Sequence, residues 1–156
     1  FRLPEYIYYG EKDGNLIFDR IKTCINLINK NILDIEPGFA FISVMSSVFG
    51  AKNINVFEKN ELLNDASKYL SNALDVTNIN FLKDIELVNA DICFSLSGKI
   101  NIEDYEYLEN YNEIVIQSSN ASESIKSLLL KGFHLLDIII LSDFKNKIII
   151  ARKDPA

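Results

Sequence analysis

The sequence contains few of the side chains that bind metal ions or cross-link a chain. Its 156 residues include one histidine and two cysteines. One histidine and two separated cysteines do not supply the four ligands of a structural zinc site. Cys24 falls in a predicted helix and Cys93 in a predicted strand. We therefore predict that both pack as small apolar side chains, with neither a disulfide nor a metal-binding role.

Basic clusters and long apolar runs are lacking as well. The net charge is −6 and the lysines and arginines are scattered, so we expect no nucleic-acid partner. The apolar runs are far shorter than the roughly 20 residues that span a bilayer, so we expect no membrane span. The sequence begins with Phe1 and shows no signal-peptide pattern. These features predict a cytoplasmic location and a fragment or processed chain, and they leave the oligomeric state open.

Residues 31–58 show the pattern of a strand, a turn, a helix and a second strand. An apolar run at 31–35 leads into a turn at 36–38, and a second apolar run at 53–57 is followed by Glu58. This order predicts a βαβ unit. In such units the turn glycines bring the backbone close to a ligand, and the acid after the second strand accepts the ribose hydroxyls. The stretch therefore predicts a nucleotide-type site where the first strand meets the helix.

The rest of the sequence continues the alternation and ends in a hairpin. The length suits one domain, and the near-continuous apolar runs of the inner strands indicate a sheet covered on both faces. We predict an α/β, three-layer Rossmann-like fold, with a seven-stranded mixed sheet of order 3-2-1-4-5-7-6 and an antiparallel terminal hairpin. The predicted strands are 31–35, 53–57, 78–82, 90–96, 113–117, 133–141 and 147–151, and the predicted helices are 16–29, 39–49, 61–74, 102–109 and 120–130.

Two further predictions concern the surroundings of this sheet. Residues 1–15 form an aromatic-rich, irregular lead with a turn at 12–14, and residues 16–153 form a single domain. The lead either packs across the outside of the first helix or covers the ligand cleft as a flap. The buried stripe of the helix at 61–74 is predicted to be Leu62, Leu63, Ala66, Tyr69, Leu70 and Ala73.

The turn motif is similar to that of a known family. Residues 32–41 read Ile-Leu-Asp-Ile-Glu-Pro-Gly-Phe-Ala-Phe, and residues 56–58 read Val-Phe-Glu. These segments resemble the first two motifs of class I S-adenosylmethionine-dependent methyltransferases, of which the first typically reads Val-Leu-Asp-Ile-Gly-Pro-Gly-Thr-Gly-Phe. The resemblance extends over residues 16–153. Residues 112–117 and 131–133 resemble, more narrowly, the tail of FkbM-type sugar O-methyltransferases.

The resemblance implies S-adenosylmethionine as cofactor and a set of residues around it. Glu58 would bind the ribose, Asp84 would lie near the adenine amino group, and Ser95 would line the mouth of the cleft. Asp34 would bind the turn backbone or a cofactor amine, or serve a structural role alone. The implied cofactor-binding residues are Asp34, Glu36, Gly38, Glu58, Asp84 and Ser95; no catalytic residue and no metal ligand is predicted.

The sequence departs from the family pattern in the turn and after the fourth strand. Glu36 and Ala40 stand where the family has its first and third glycines. A carboxylate at position 36 would meet the amino-acid end of the cofactor, where it would repel the carboxylate or bind the ammonium. Residues 95–98 read Ser-Leu-Ser-Gly and lack the acids that the family carries there, and no general base or metal cluster replaces them.

Two functions therefore remain open. The first is an S-adenosylmethionine-dependent methyltransferase that acts on a small molecule or saccharide, favoured by Asp34, Gly38 and Glu58. The second is a catalytically inactive methyltransferase-like domain that serves as a binding or scaffold module for another protein. The lost glycines and the missing acids favour this second function.

Overall fold

The computed structural model describes residues 5–37, 40–84, 89–97, 108–142 and 144–155, with side chains from residue 13 onward. Strands and helices alternate along the chain, and two consecutive strands close it. The helices are α1 (Glu5–Cys24), α2 (Phe41–Val48), α3 (Glu61–Ala73) and α4 (Ala121–Leu130). The strands are β1 (Asn31–Ile35), β2 (Asn53–Phe57), β3 (Ile79–Leu82), β4 (Ile92–Ser95), β5 (Glu113–Ser118), β6 (Phe133–Ile140) and β7 (Lys147–Lys153).

The strands form one seven-stranded sheet in the order β3-β2-β1-β4-β5-β7-β6. Neighbouring strands from β3 to β5 are parallel, whereas β7 is antiparallel to both β5 and β6. The predicted fold class, strand order and terminal hairpin are confirmed. The predicted boundaries of all seven strands lie within two residues of the observed ones.

The sheet is buried on both faces because helices cover each of them. Successive residues of a strand point to opposite faces, so neighbours such as Ile32 and Leu33 enter different cores. Ile32 packs in a core with α1 and α2, and Leu33 packs in a second core with α4. Both cysteines are free: Cys93 of β4 is fully buried, and Cys24 at the end of α1 is partly buried. No helix in the described part of the chain is long and apolar enough to cross a membrane.

The first helix differs from the prediction at both ends. It begins at Glu5 and ends at Cys24, so residues 5–14 are helical rather than an irregular lead. Gly14, which suggested a turn, lies within α1 and packs against α2. A β-carbon on Gly14 would lie 3.0 Å from ring carbons of Phe41 in α2. Gly14 therefore permits α1 to approach α2 closely. Residues 1–4 lie outside the described residues, so the flap and the domain division at residue 15 remain predictions.

The predicted buried face of α3 is correct for Leu63 and wrong for Leu62 and Tyr69. The side chains that face inward are Leu63, Ser67 and Ser71, whereas Leu62 and Tyr69 are 47% and 78% exposed. The two serines can be buried because each hydroxyl donates to the carbonyl four residues earlier, at 2.9 Å for Ser67 and 2.8 Å for Ser71. The prediction assigned apolar side chains to the inner face of α3, so it did not include these two serines.

The predicted helix at 102–109 falls mostly outside the described residues. Only its end is described, as a short helical turn at 108–110 that buries Leu108. The turn glycine Gly38 and Gly98 after β4 lie outside the described residues too.

Candidate functional site

The carboxyl ends of the parallel strands meet at one edge of the sheet. In the strand register, Ile35 of β1 lies opposite Phe57 of β2 on one side and opposite Ser95 of β4 on the other. Glu36 and Glu58 directly follow the first two of these strand ends. The edge between β1, β2 and β4 therefore gathers four of the predicted residues, namely Asp34, Glu36, Glu58 and Ser95.

The turn after β1 keeps a backbone that glycine normally adopts. Glu36 has φ 48°, and Ala40, the residue before α2, has φ 61° and ψ 35°. These are the first and third of the three positions at which the family motif carries glycine, and a left-handed conformation costs other residues roughly 1–2 kcal/mol. The backbone N–H of Glu36 donates to the carbonyl of Phe57 at 2.6 Å, which extends the parallel ladder by one bond. Glu36 and Ala40 thus have a left-handed backbone although neither of them is glycine.

Asp34 is a carboxyl group inside the protein, one residue before the end of β1. Its side chain is fully buried, and Ser43 of α2 donates its hydroxyl hydrogen to Oδ2. The other oxygen, Oδ1, is buried without a hydrogen-bond partner among the described residues. Burial raises the pKa of Asp34 to about 7; the Ser43 bond opposes this rise, and the charge of Glu58 adds to it. Asp34 therefore exists in both protonation states near neutral pH.

Glu58 is held at the start of α3. It is 6% exposed, and its Oε2 accepts the backbone N–H of Asn60 at 3.1 Å. The side-chain amide of Asn64 donates to the backbone carbonyl of Glu58 at 2.7 Å. Asn60 is the N-cap of α3, so the carboxylate of Glu58 also lies beside the positive end of the helix dipole. This arrangement fixes an anionic acceptor at the end of β2.

Glu36 also presents its carboxylate at this edge. Its side chain is 12% exposed, and its Oε1 lies 4.0 Å from Nζ of Lys59. The Lys59 side chain is 74% exposed, so water screens the pair and weakens it. The turn therefore keeps an acidic character despite the neighbouring lysine.

The two remaining predicted residues differ in position. Ser95 is fully buried at the end of β4, next to β1. Asp84 lies two residues beyond β3, on the far side of β2 from β1, and its side chain is exposed. The structure thus places Ser95 with the acidic residues and Asp84 at the outer side of the same edge.

Several residues that organise the site were not predicted from the sequence. Ser43 binds Asp34, Asn60 and Asn64 hold Glu58, and Lys59 pairs with Glu36. For Asn60 a signal was available, because an asparagine just before a helix is a typical N-cap. In the described ranges, no group of three or more His, Cys, Asp or Glu side chains could hold a metal ion.

Comparison with known structures reveals proteins of the same architecture. The crystal structure of ribosomal protein L11 methylase from Lactobacillus delbrueckii subsp. bulgaricus matches with a TM-score of 0.76 and 12% identity, over 92% of this chain and 80% of that one. Magnesium protoporphyrin IX methyltransferase (ChlM) from Synechocystis PCC 6803, with bound SAM, matches with a TM-score of 0.77 and 14% identity, over 94% and 81%. This chain has the Rossmann-like methyltransferase fold.

The methyltransferase fold does not fix the reaction. The [4+2]-cyclase SpnF shares it with a TM-score of 0.73 and 11% identity, over 93% of this chain and 82% of that one. Among curated proteins, the ribosomal protein L11 methyltransferase of Prochlorococcus marinus (strain AS9601) is 26% identical over 152 residues, which cover 86% of this chain and 47% of the relative. The chain spans about half the length of the curated relative it matches. No family model matches the sequence.

The residues at this edge fit one half of the cofactor better than the other. Glu58 presents a carboxylate directly after β2, where the family motif has its ribose-binding acid, and Glu36 and Ala40 have a left-handed backbone where that motif has glycine. The amino-acid tail meets a different environment, because Glu36 projects a carboxylate from a position where the family has hydrogen alone. These residues therefore fit the nucleoside half of S-adenosylmethionine, and they do not fit the carboxylate of its amino-acid tail.

Proposed function

We propose that this chain binds an adenosyl cofactor of the S-adenosylmethionine type and transfers its methyl group to a small molecule or saccharide. The observation that carries the proposal is the environment of Glu58. Its buried carboxylate lies at the end of β2, fixed by the Asn60 N–H at 3.1 Å. A carboxylate held in this way can accept both hydroxyls of a ribose through charge-assisted hydrogen bonds.

The retained turn is the second support for cofactor binding. A left-handed backbone at Glu36 and Ala40 strains both residues, and such strain persists only where the surrounding structure demands it. Cofactor-binding turns are a frequent site of such strain. The bound SAM in ChlM belongs to a protein with the same fold, which makes S-adenosylmethionine the natural first ligand to test.

The proposed acceptor of the methyl group is a saccharide hydroxyl. The resemblance of residues 112–117 and 131–133 to sugar O-methyltransferases favours a saccharide hydroxyl. Ser95 ends β4 next to β1, and Ser97 follows two residues later, so both lie at the same edge of the sheet as Glu36 and Glu58. A protein acceptor is the alternative, since the similar proteins include ribosomal protein L11 methyltransferases.

One observation favours the second function, that of an inactive binding or scaffold module for another protein. Glu36 has a 12% exposed side chain at the turn, and Ser95 and Ser97 stand where the family carries acids. Under this alternative the adenosyl site is closed, and the fold serves association with another protein alone.

Isothermal titration with S-adenosylhomocysteine tests the proposal on the parent chain and on Glu58→Ala. We expect binding by the parent and a loss of about tenfold to a hundredfold in the variant, because charge-assisted bonds to the ribose contribute about 1.5–3 kcal/mol. Asp65→Ala, which removes an exposed acid from α3, is the matched control and should bind like the parent. Equal affinity of the parent and Glu58→Ala would remove Glu58 from the site, and a parent that binds no adenosyl ligand would favour the scaffold.

A further inference from the structure

The amino-acid tail of a ligand in the adenosyl site would lie against the carboxylate of Glu36, whose orientation is restricted. Glu36 is tied by its backbone N–H to the carbonyl of Phe57, and its φ of 48° fixes the direction of its β-carbon. The side chain is 12% exposed, so most of it is enclosed at the edge of the sheet rather than extended into water. A ligand in the adenosyl site therefore has to accommodate this carboxylate.

The charges around Glu36 reinforce its preference for a cation. Glu58 is 6% exposed and Asp34 is fully buried, with Oδ1 of Asp34 left without a hydrogen-bond partner among the described residues. Among the described residues, Lys59 forms the ion pair with Glu36, at 4.0 Å and with a 74% exposed side chain. A solvent-screened lysine offsets little of the negative potential that enclosed carboxylates create.

These charges discriminate between the two ionic groups of an amino-acid tail. An ammonium group is attracted to the carboxylate of Glu36. A carboxylate on the same tail is repelled, and juxtaposed like charges at a binding site are strongly unfavourable. A glycine at position 36, as in the family motif, has no side-chain charge and would not discriminate between the ammonium and the carboxylate.

We propose that Glu36 makes this site selective for adenosyl ligands whose tail carries an amine and no carboxylate, such as decarboxylated S-adenosylmethionine and its thioether product. The inference rests on the proposed function, because it concerns the tail of a ligand in the same adenosyl site. The cofactor of this chain would then carry an amine tail instead of an amino-acid tail.

Titration of the folded chain with two ligands that differ by one carboxylate tests this selectivity. The ligands are S-adenosylhomocysteine and decarboxylated S-adenosylhomocysteine. For the parent we expect the decarboxylated ligand to bind at least about tenfold more tightly. Glu36→Gln, which keeps the size of the side chain and removes its charge, should bring the two affinities within about threefold of each other. Asp65→Asn on the exposed face of α3 should retain the parental preference.

The possible outcomes separate this inference from the proposed function. Equal binding of both ligands by the parent, or tighter binding of S-adenosylhomocysteine, would overturn the selectivity and leave the adenosyl site standing. A preference that survives in Glu36→Gln would overturn the role of Glu36. Failure of the parent to bind either ligand would overturn both proposals. Cooperative thermal unfolding of each variant verifies that a change in affinity is not a loss of fold.

Discussion

Asp34 is fully buried, its Oδ1 has no hydrogen-bond partner within the part of the chain that the structure describes, and the carboxylate of Glu58 acts on it. Burial raises its pKa from 3.8 to about 7, with the charge of Glu58 acting in the same direction. In the unfolded chain the group returns to its ordinary pKa, so between pH 3.8 and about pH 7 the folded state binds more protons than the unfolded state. The contribution of Asp34 to stability is therefore fully present below pH 3.8 and is lost as the pH rises towards 7.

Asp34→Asn should remove this part of the pH dependence. The amide has nearly the same shape and carries no charge to desolvate, so the variant should gain stability over the parent as the pH rises. Three pKa units correspond to about 4 kcal/mol, which sets the upper bound of the gain above pH 7. Urea unfolding of both proteins across this pH range measures the difference, with the exposed Asp65→Asn as control. A constant difference at all pH values would show that Asp34 does not titrate in this way.

The acids and the turn of the site differ in how far the sequence could predict them. Glu58 was predicted because its place directly after a strand can be read from the apolar pattern. Ser43 was missed because its orientation depends on where α2 begins, and α2 begins at Phe41 rather than at residue 39. The left-handed backbone at Glu36 and Ala40 could not be deduced from their residue types, because that conformation normally signals glycine.

At the scale of elements, the start of α3 links helix stability to the site. Oδ1 of Asn60 accepts the N–H groups of Leu62 and Leu63 at 3.0 and 3.3 Å, and these donors have no partner within the helix. The same residue donates its own backbone N–H to Glu58. Loss of the cap would therefore loosen the turn that positions Glu58.

Asn60→Ala should lower the free energy of unfolding by about 1 kcal/mol, the usual value for the loss of an N-cap. Asn60→Asp retains an oxygen acceptor at the same place and should recover most of the loss. Chemical denaturation of the two variants and the parent provides the comparison. If alanine and aspartate had the same effect, the side-chain cap would not be the source of the stability.

Among the elements, strands were more predictable than helix faces. Strands buried on both faces carry consecutive apolar residues, so β1 and β2 were predicted with their exact boundaries. The serines of the inner face of α3 were missed because Ser67 and Ser71 satisfy their hydroxyls within the helix and need no apolar side chain. The start of α1 was missed because a glycine used for close packing resembles a glycine used in a turn.

At the scale of the whole molecule, the C-terminal strand β7 holds an interior position. It lies between β5 and β6, and its residues Ile148, Ile149 and Ile150 are at most 1% exposed. Burial of an isoleucine side chain contributes about 1.5–3 kcal/mol, so these side chains together contribute about 5–9 kcal/mol. That sum is comparable with the total stability of a typical domain, about 5–15 kcal/mol.

A chain that ends at Leu141 should therefore fail to fold. It lacks β7, so β5 and β6 lose the strand that joins them and their shared core is opened. Differential scanning calorimetry should show a cooperative transition for the parent and none for the truncated chain. A control that ends at Asp154 keeps the whole of β7 and should unfold like the parent. A cooperative transition in the shorter chain would show that the rest of the sheet is stable alone.

The position of β7 also matters during synthesis. The ribosome makes β5, α4 and β6 before β7, yet β7 separates β5 from β6 in the finished sheet. Until residues 147–153 have been made, β5 presents a row of peptide groups that have no strand to pair with on that side. Open edges of this kind recruit strands from other chains, so a pause in translation before residue 147 exposes the nascent protein to aggregation and to capture by chaperones.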